Sequence, residues 1–198
     1  MRIKEFIMIG IDSYHGDNEG KNVLDFKEIN STLDFIIIKA ADGQRVDPQL
    51  MNIYNQTLAL KQGMYAYTYA TNTRTAKAEA EAFCRAIKPL KHEMGLWLDV
   101  EDKRLKKLNK SDLTNVLNAW AVTAAKFGIE IGLYSNPDWL EHRLDMESIQ
   151  ITKLWLAVWT NDLSKLIKYQ QKYKPDIIQY TDSYKLANGN KVDGDLVL

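Results

Sequence analysis

Cysteine is almost missing: Cys84 stands alone among 198 residues. A lone thiol excludes an internal disulfide, and no Cys/His spacing around it suits zinc. It reads as a small buried side chain on a helix. An excess of either charge is missing too, since 26 Lys and Arg balance 26 Asp and Glu. A protein whose main task is to neutralise phosphates carries a basic surplus, so no nucleic-acid partner is expected. Long apolar runs are absent: none approaches the ~20 residues that span a bilayer, so no membrane insertion is expected. The opening Phe6-Ile7-Met8-Ile9 is too short for a signal-peptide core, and Asp12 follows soon after. Synthesis in the cytoplasm without a signal peptide is the expectation. His15, His92 and His142 are scattered without metal spacing. There is no Gly-rich phosphate loop and no Gly-x-Ser-x-Gly elbow.

What is present is ordinary globular material, 45% hydrophobic and 26% charged. Such a chain buries roughly 70% of its unfolded surface and needs no staples. At about 150 residues per domain it reads as one domain over residues 1–198. Buried strands are expected at Phe6–Asp12, Phe35–Lys39, Met64–Thr68, Leu96–Glu101, Ile129–Tyr134, Leu154–Trp159, Ile177–Tyr180 and Lys191–Val197. Helical patterns lie between them at Pro48–Lys61, Thr75–Ile87, Ser111–Phe127 and Leu163–Tyr173. Thr73 or Thr75 and Ser111 are the expected caps. This alternation predicts a parallel α/β fold, a single (β/α)-barrel, with short links among its last strands. The charge run from Glu101 to Lys107, continuing to Lys110, reads as a solvated loop after a strand. The sharper reading is a basic lip beside a site, suited to an anionic polymer.

The chemistry concentrates in Gly95-Leu96-Trp97-Leu98-Asp99-Val100-Glu101. Side chains alternate along a strand, so Trp97, Asp99 and Glu101 share one face. At the C-terminal rim of a barrel, that is where catalysts sit. Two neighbouring, partly desolvated acids raise the pKa of one of them. A protonated and an ionised carboxyl are what glycosidic cleavage needs. Asp12 ends the first apolar run, Asp42 follows the second, and Asp193 lies near the chain's end. Closing a barrel makes first and last strands neighbours, which brings Asp12 and Asp193 to one rim. Aromatic side chains recur at strand ends: Tyr65, Tyr67, Tyr69, Tyr134, Trp155, Trp159, and Tyr180 beside Gln179. Rings there offer flat faces to sugars or pack the rim. Trp97, Trp120 and Trp139 read as core.

Taken in order, these pieces resemble glycoside hydrolase family 25, the Chalaropsis-type lysozymes of phage endolysins and bacterial autolysins. The carrying motifs are Gly10-Ile11-Asp12, Asp34 to Gly43, Gly63-Met64-Tyr65-Ala66-Tyr67 and Leu98-Asp99-Val100-Glu101. Gly132-Leu133-Tyr134-Ser135, Leu154-Trp155-Leu156-Ala157, Ile178-Gln179-Tyr180-Thr181 and Val192-Asp193-Gly194 complete the set. Three places depart from the family's usual pattern: the shorter Ser13-Tyr14-His15-Gly16, Asp42 where Glu is usual, and Ala66 where His is common. The resemblance implies a TIM-like barrel with about eight strands and about five helices. It implies cleavage of the β-1,4 bond between N-acetylmuramic acid and N-acetylglucosamine in bacterial peptidoglycan. Glu101 would be the general acid and Asp99 its partner, with Asp12 and Asp193 supporting the site. Tyr65, Tyr67, Tyr134, Trp159, Gln179 and Asp42 would bind substrate. No cofactor or metal is expected, and the protein is expected to be a monomer acting on the cell wall.

Hydrolysis is expected to retain configuration. Residues two apart on one strand have Cα atoms ~6.5 Å apart and parallel side chains. They are badly placed to flank a sugar from opposite faces, which favours attack by the substrate's own 2-acetamido carbonyl. Two alternatives use the same acids. One is a metal-dependent nuclease or phosphodiesterase with Asp12, Asp99, Glu101 and Asp193 holding Mg²⁺. The other is a glycan-binding barrel without catalysis.

Overall fold

The computed structural model describes residues 8–20 and 23–198. Nine strands are present among them: β1 (Met8–Ser13), β2 (Phe35–Asp42), β3 (Arg45–Val46), β4 (Lys61–Tyr67), β5 (Leu96–Asp99), β6 (Gly132–Ser135), β7 (Leu154–Ala157), β8 (Ile177–Lys185) and β9 (Lys191–Val197). Phe6 and Ile7, expected to open the first strand, lie outside the described residues. The hydrogen-bonded order β1-β9-β8-β7-β6-β5-β4-β2 closes through a β1–β2 pair, giving an eight-stranded barrel, and the two-residue β3 extends β2 at the rim. Seven barrel strands run parallel, joined mostly by helical crossovers. The eighth corrects the expectation of an all-parallel sheet, because β9 is antiparallel to both β8 and β1. The link from Lys185 to Lys191 is too short for a crossover, which needs a dozen residues or more. A hairpin is the only connection it allows.

Six helices cover the barrel: α1 (Phe26–Thr32), α2 (Leu50–Gln56), α3 (Thr73–Ile87), α4 (Lys110–Ala125), α5 (Pro137–His142) and α6 (Leu163–Tyr173). Two of them, α1 and α5, were not expected, and both are short. Their caps are nevertheless clear. Asp25 accepts the N–H groups of Lys27 and Glu28 at 3.1 and 3.0 Å. Asn136 accepts from Trp139 N–H at 3.2 Å, with Pro137 in the first turn. The caps of α3 and α4 are Asn72 and Asn109 rather than the expected Thr and Ser. The helix expected over Pro48–Lys61 stops at Gln56, and Lys61 already belongs to β4.

Alternation along each strand divides the core in two. Outward side chains such as Ile11, Ile36, Ile38, Leu98, Leu133 and Leu156 pack beneath the helices, with Phe83 of α3 and Trp120 of α4. Those two rings lie 5.5 Å apart. Inward side chains fill the barrel with Phe35, Ile37, Tyr65, Met94, Trp97, Tyr134, Trp155 and Ile177. Two inward glycines make room for the largest rings. A Cβ on Gly10 would meet the Phe35 ring at 2.5 Å, and one on Gly132 would meet the Trp97 ring at 2.4 Å. Such approaches are far below contact distance, so neither position accepts a side chain without moving a ring.

Candidate active site

Moving up the barrel interior, the inward positions turn polar at the C-terminal ends of the parallel strands. Asp12 ends β1, Lys39 lies on β2, Tyr65 and Tyr67 on β4, Asp99 on β5, Tyr134 on β6 and Gln179 on β8. Because β9 is reversed, its beginning reaches the same rim, and Asp193 pairs directly with Asp12. Glu101 follows two residues beyond Asp99, just past the end of β5. These side chains, with Tyr14, Asp17, Trp155, Lys191 and Val192, enclose a cleft of about 390 Å³. A larger depression of about 630 Å³ lies at the opposite end of the barrel, over Met94 and Trp97, and contains none of these acids.

Gln179 ties the cleft together. Its Nε2 donates to Asp12 Oδ2 at 2.8 Å and to Asp193 Oδ2 at 3.2 Å. Its Oε1 accepts from Tyr134 O–H at 2.9 Å and from Trp159 Nε1–H at 2.9 Å. An indole N–H can only donate, so the amide has one workable orientation. A single buried side chain thus fixes two acids and two aromatic groups. Trp159 keeps its ring 62% exposed at the edge while its nitrogen is held. That is the arrangement of a flat platform facing solvent.

Electrostatics in the cleft favour proton retention. Asp99 is 5% exposed, and its Oδ1 is buried without a hydrogen-bond partner. Burial first, then the Glu101 charge, push its pKa well above the usual carboxylate range, while Lys39 opposes them. Glu101 is open to water yet crowded by the walls of a concave site, and that partial desolvation raises its pKa as well. Lys39 opposes the rise in Glu101 and Asp102 adds to it. Burial, then Asp195 and Asp193, raise Asp12, with the Gln179 hydrogen bond opposing. Burial, aided by Asp17, Asp182 and Glu101, brings Asp193 to about 6.

The structure therefore gathers Asp12, Asp99, Glu101, Asp193, Tyr65, Tyr67, Tyr134 and Gln179 into one cleft, with Trp159 at its edge. Asp42 lies elsewhere. Beyond a bulge between Lys39 and Ala41, its carboxylate accepts from Tyr69 O–H and borders a separate rim depression with Arg45, Glu79 and Arg104. The basic run after Glu101 is more ordered than a plain solvated loop. Asp102 is buried, receives Arg104 Nε at 2.7 Å, and accepts from Tyr67 O–H at 3.3 Å. The Arg104 guanidinium sits 3.7 Å over the Tyr69 ring.

Sequence reasoning missed Lys39. Its side chain is 11% exposed, its Nζ lies 4.9 Å from the Tyr67 ring centre, and Asp42 Oδ1 is 3.6 Å away. The signal was its parity: Phe35, Ile37 and Lys39 share the inward face. Among the described residues, no three His, Cys, Asp or Glu side chains are grouped so as to hold a metal ion.

Acids from β1, from the end of β5 and from β9 thus surround one mouth. The sequence profile of glycosyl hydrolases family 25 matches residues 9–189. The chain belongs to that family. A search of curated proteins finds no match. Solved structures share the fold. The modular autolysin LytC from Streptococcus pneumoniae, in complex with a synthetic peptidoglycan ligand, superposes with a TM-score of 0.81 at 20% identity. All of this chain is covered, but it spans only 48% of LytC. A family 25 glycosyl hydrolase from Bacillus anthracis gives 0.77 at 22% identity, covering 100% of this chain and 91% of that one. The catalytic domain of an endolysin from a Listeria monocytogenes bacteriophage gives 0.77 at 17% identity, covering 98% and 93%. Among the described residues, no helix is long and apolar enough to cross a membrane.

Proposed function

We propose that this family 25 glycoside hydrolase is an N-acetylmuramidase that cleaves the β-1,4 bond after N-acetylmuramic acid in bacterial peptidoglycan. Residues 1–198 would form its catalytic domain, and the cell wall would be its place of action. The observation that carries the reading is the Asp99–Glu101 pair, at and just beyond the end of β5, in an acid-lined cleft with an aromatic edge. The names of an autolysin with a peptidoglycan ligand and of a phage endolysin support the choice of substrate.

Glu101 is accessible and has a raised proton affinity, so it can hand a proton to the glycosidic oxygen. Asp99 is buried beside it and linked to it electrostatically. The Glu101 charge adds to the burial that raises the proton affinity of Asp99. Both come from the C-terminal end of β5 and so reach the cleft from one side. The attack then comes from the substrate's 2-acetamido carbonyl oxygen, and Asp99 orients that group and offsets its developing positive charge. The C–O bond to the leaving sugar breaks as its oxygen takes the Glu101 proton. Water, deprotonated by the same Glu101, then opens the cyclic intermediate and leaves configuration retained. Asp12 and Asp193, fixed through Gln179, line the floor of the cleft. Tyr65, Tyr67 and Tyr134 line the sugar groove, and Trp159 stacks on an outer ring. Asp42 acts, if at all, through Lys39 and Tyr69 at the rim. No cofactor takes part.

Turbidity loss on purified walls, followed by mass spectrometry of borohydride-reduced fragments, tests the bond. Reduced muramic acid at the new ends supports the reading; reduced glucosamine at those ends overturns it. NMR of the first-formed anomer tests retention, and an inverted product refutes it. Binding to walls without new reducing ends would indicate a glycan-binding barrel. Loss of activity in EDTA would indicate metal-dependent chemistry.

A further inference from the structure

Asp195 is a carboxyl group for which the proposed reaction has no use. It lies wholly buried on β9 and faces the barrel interior. Trp155 Nε1 donates to its Oδ1 at 2.8 Å. Its Oδ2 is also buried, and no donor reaches it. The antiparallel register sets Asp193 opposite Asp12 and Asp195 opposite Gly10. Asp195 is therefore the diagonal neighbour of Asp12 on the same inner face, within side-chain reach. Gly10 has no side chain, so the two carboxyl groups are neighbours on that face. Asp12 is gripped from the other side, where its Oδ2 accepts from Gln179.

We propose that Asp195 and Asp12 share one proton in a carboxyl–carboxylate hydrogen bond through the orphaned Asp195 Oδ2, making Asp195 the positioning residue that keeps Asp12 aimed at the cleft floor. The inference rests on the reading above, in which Asp12 supports the site. Two neighbouring anions in this pocket would repel each other, and one buried oxygen would lack any partner. One shared proton removes both problems. It gives the orphaned Oδ2 a partner and Asp12 a second hydrogen bond. The groups facing Asp195 are Asp12 from β1, Asp193 from β9, Gln179 from β8 and the Trp155 indole from β7. Burial brings Asp195 to about 8, the Trp155 and Asp12 hydrogen bonds oppose the rise, and Asp193 adds to it.

Asn is the neutral mimic of a protonated Asp, because its N–H₂ can donate to Asp12 while its oxygen accepts from Trp155. Leu fills the space and donates nothing. On purified walls, Asp195→Asn keeps kcat within about threefold and Asp195→Leu lowers it about 100-fold at similar KM, the scale of a misplaced active-site group. Above a pH of about 8, where Asp195 ionises, wild-type kcat falls with a steeper limb than Asp195→Asn. In ¹³C-carboxyl NMR the signal lost in Asp195→Asn stays protonated at neutral pH. An Asn variant as impaired as Leu overturns the proposal, as does an identical alkaline limb. So does a carboxyl signal titrating in the ordinary carboxylate range. If Asp195→Leu fails to fold, the Asn pH profile and the NMR titration still decide. Wild-type protein that releases no reducing ends sinks the muramidase reading instead, and the NMR titration then judges Asp195 alone.

Discussion

The two ends of the barrel interior are built from the same eight strands and follow opposite rules. At the floor, Phe35, Trp97, Met94 and Ile177 interlock, with Gly10 and Gly132 opening space for the rings. Four residues above Trp97, just past the end of β5, and two above Gly10 on β1, stand Glu101 and Asp12. The floor gains from burial and packing. The mouth gathers acids that resist ionisation and leaves a buried oxygen of Asp99 without a partner. The lesson is a division of labour along each strand, in which well-packed lower rungs hold in place upper rungs that are unfavourable by themselves.

Glu101→Gln attacks the mouth alone. Turnover should fall about 10²–10⁴-fold, the usual worth of a general acid, while wall binding persists. Melting temperature should hold or rise, because a like charge beside Asp99 is removed. An active Glu101→Gln protein would refute its assigned role. Trp97→Ala attacks the floor alone and should destabilise by about 3–5 kcal/mol in denaturant titration. Catalysis per folded molecule should survive at low temperature. A selective loss of turnover instead would mean that the two ends are not separable.

The acids at the mouth also predict a pH signature. Folding raises their proton affinity, so the folded state holds protons that the unfolded chain has released. The resulting stability is complete below the ordinary carboxylate pKa and is lost as pH climbs through the folded values, about 6 for Asp193 and about 8 for Asp195. Melting temperature should therefore decline from mildly acid to mildly alkaline pH, and the decline should be shallower in Asp195→Asn. The smallest effect concerns the edge: Trp159→Ala should raise KM about 3–10-fold with kcat nearly unchanged, as lost aromatic stacking predicts. A loss in kcat instead would show that its hold on Gln179 matters more than its exposed face.

Much of this comparison was legible before the fold. Period-two alternation placed Trp97, Asp99 and Glu101 on one face, and closure of a barrel brought Asp12 to Asp193. Other features were hidden for physical reasons. Lys39 sits in an apolar run and looks like a strand end, until parity with Phe35 and Ile37 turns it inward. Asp195 shares its parity with Asp193, but that means nothing until the strand's two neighbours are known. Strand direction is set by connection length, and Asn188-Gly189 in the short β8–β9 link was an available hairpin signal. Asp42 departs because a bulge, which no composition announces, intervenes after Lys39.

The reversed final strand has one more consequence. Met8 pairs with Val197 at the foot of the barrel, several rungs from the Asp12–Asp193 pair. Cargo tethered near either position, whether a fluorophore, an affinity handle or an added module, would hang from the face turned away from the glycan. The cleft at the other end would stay clear.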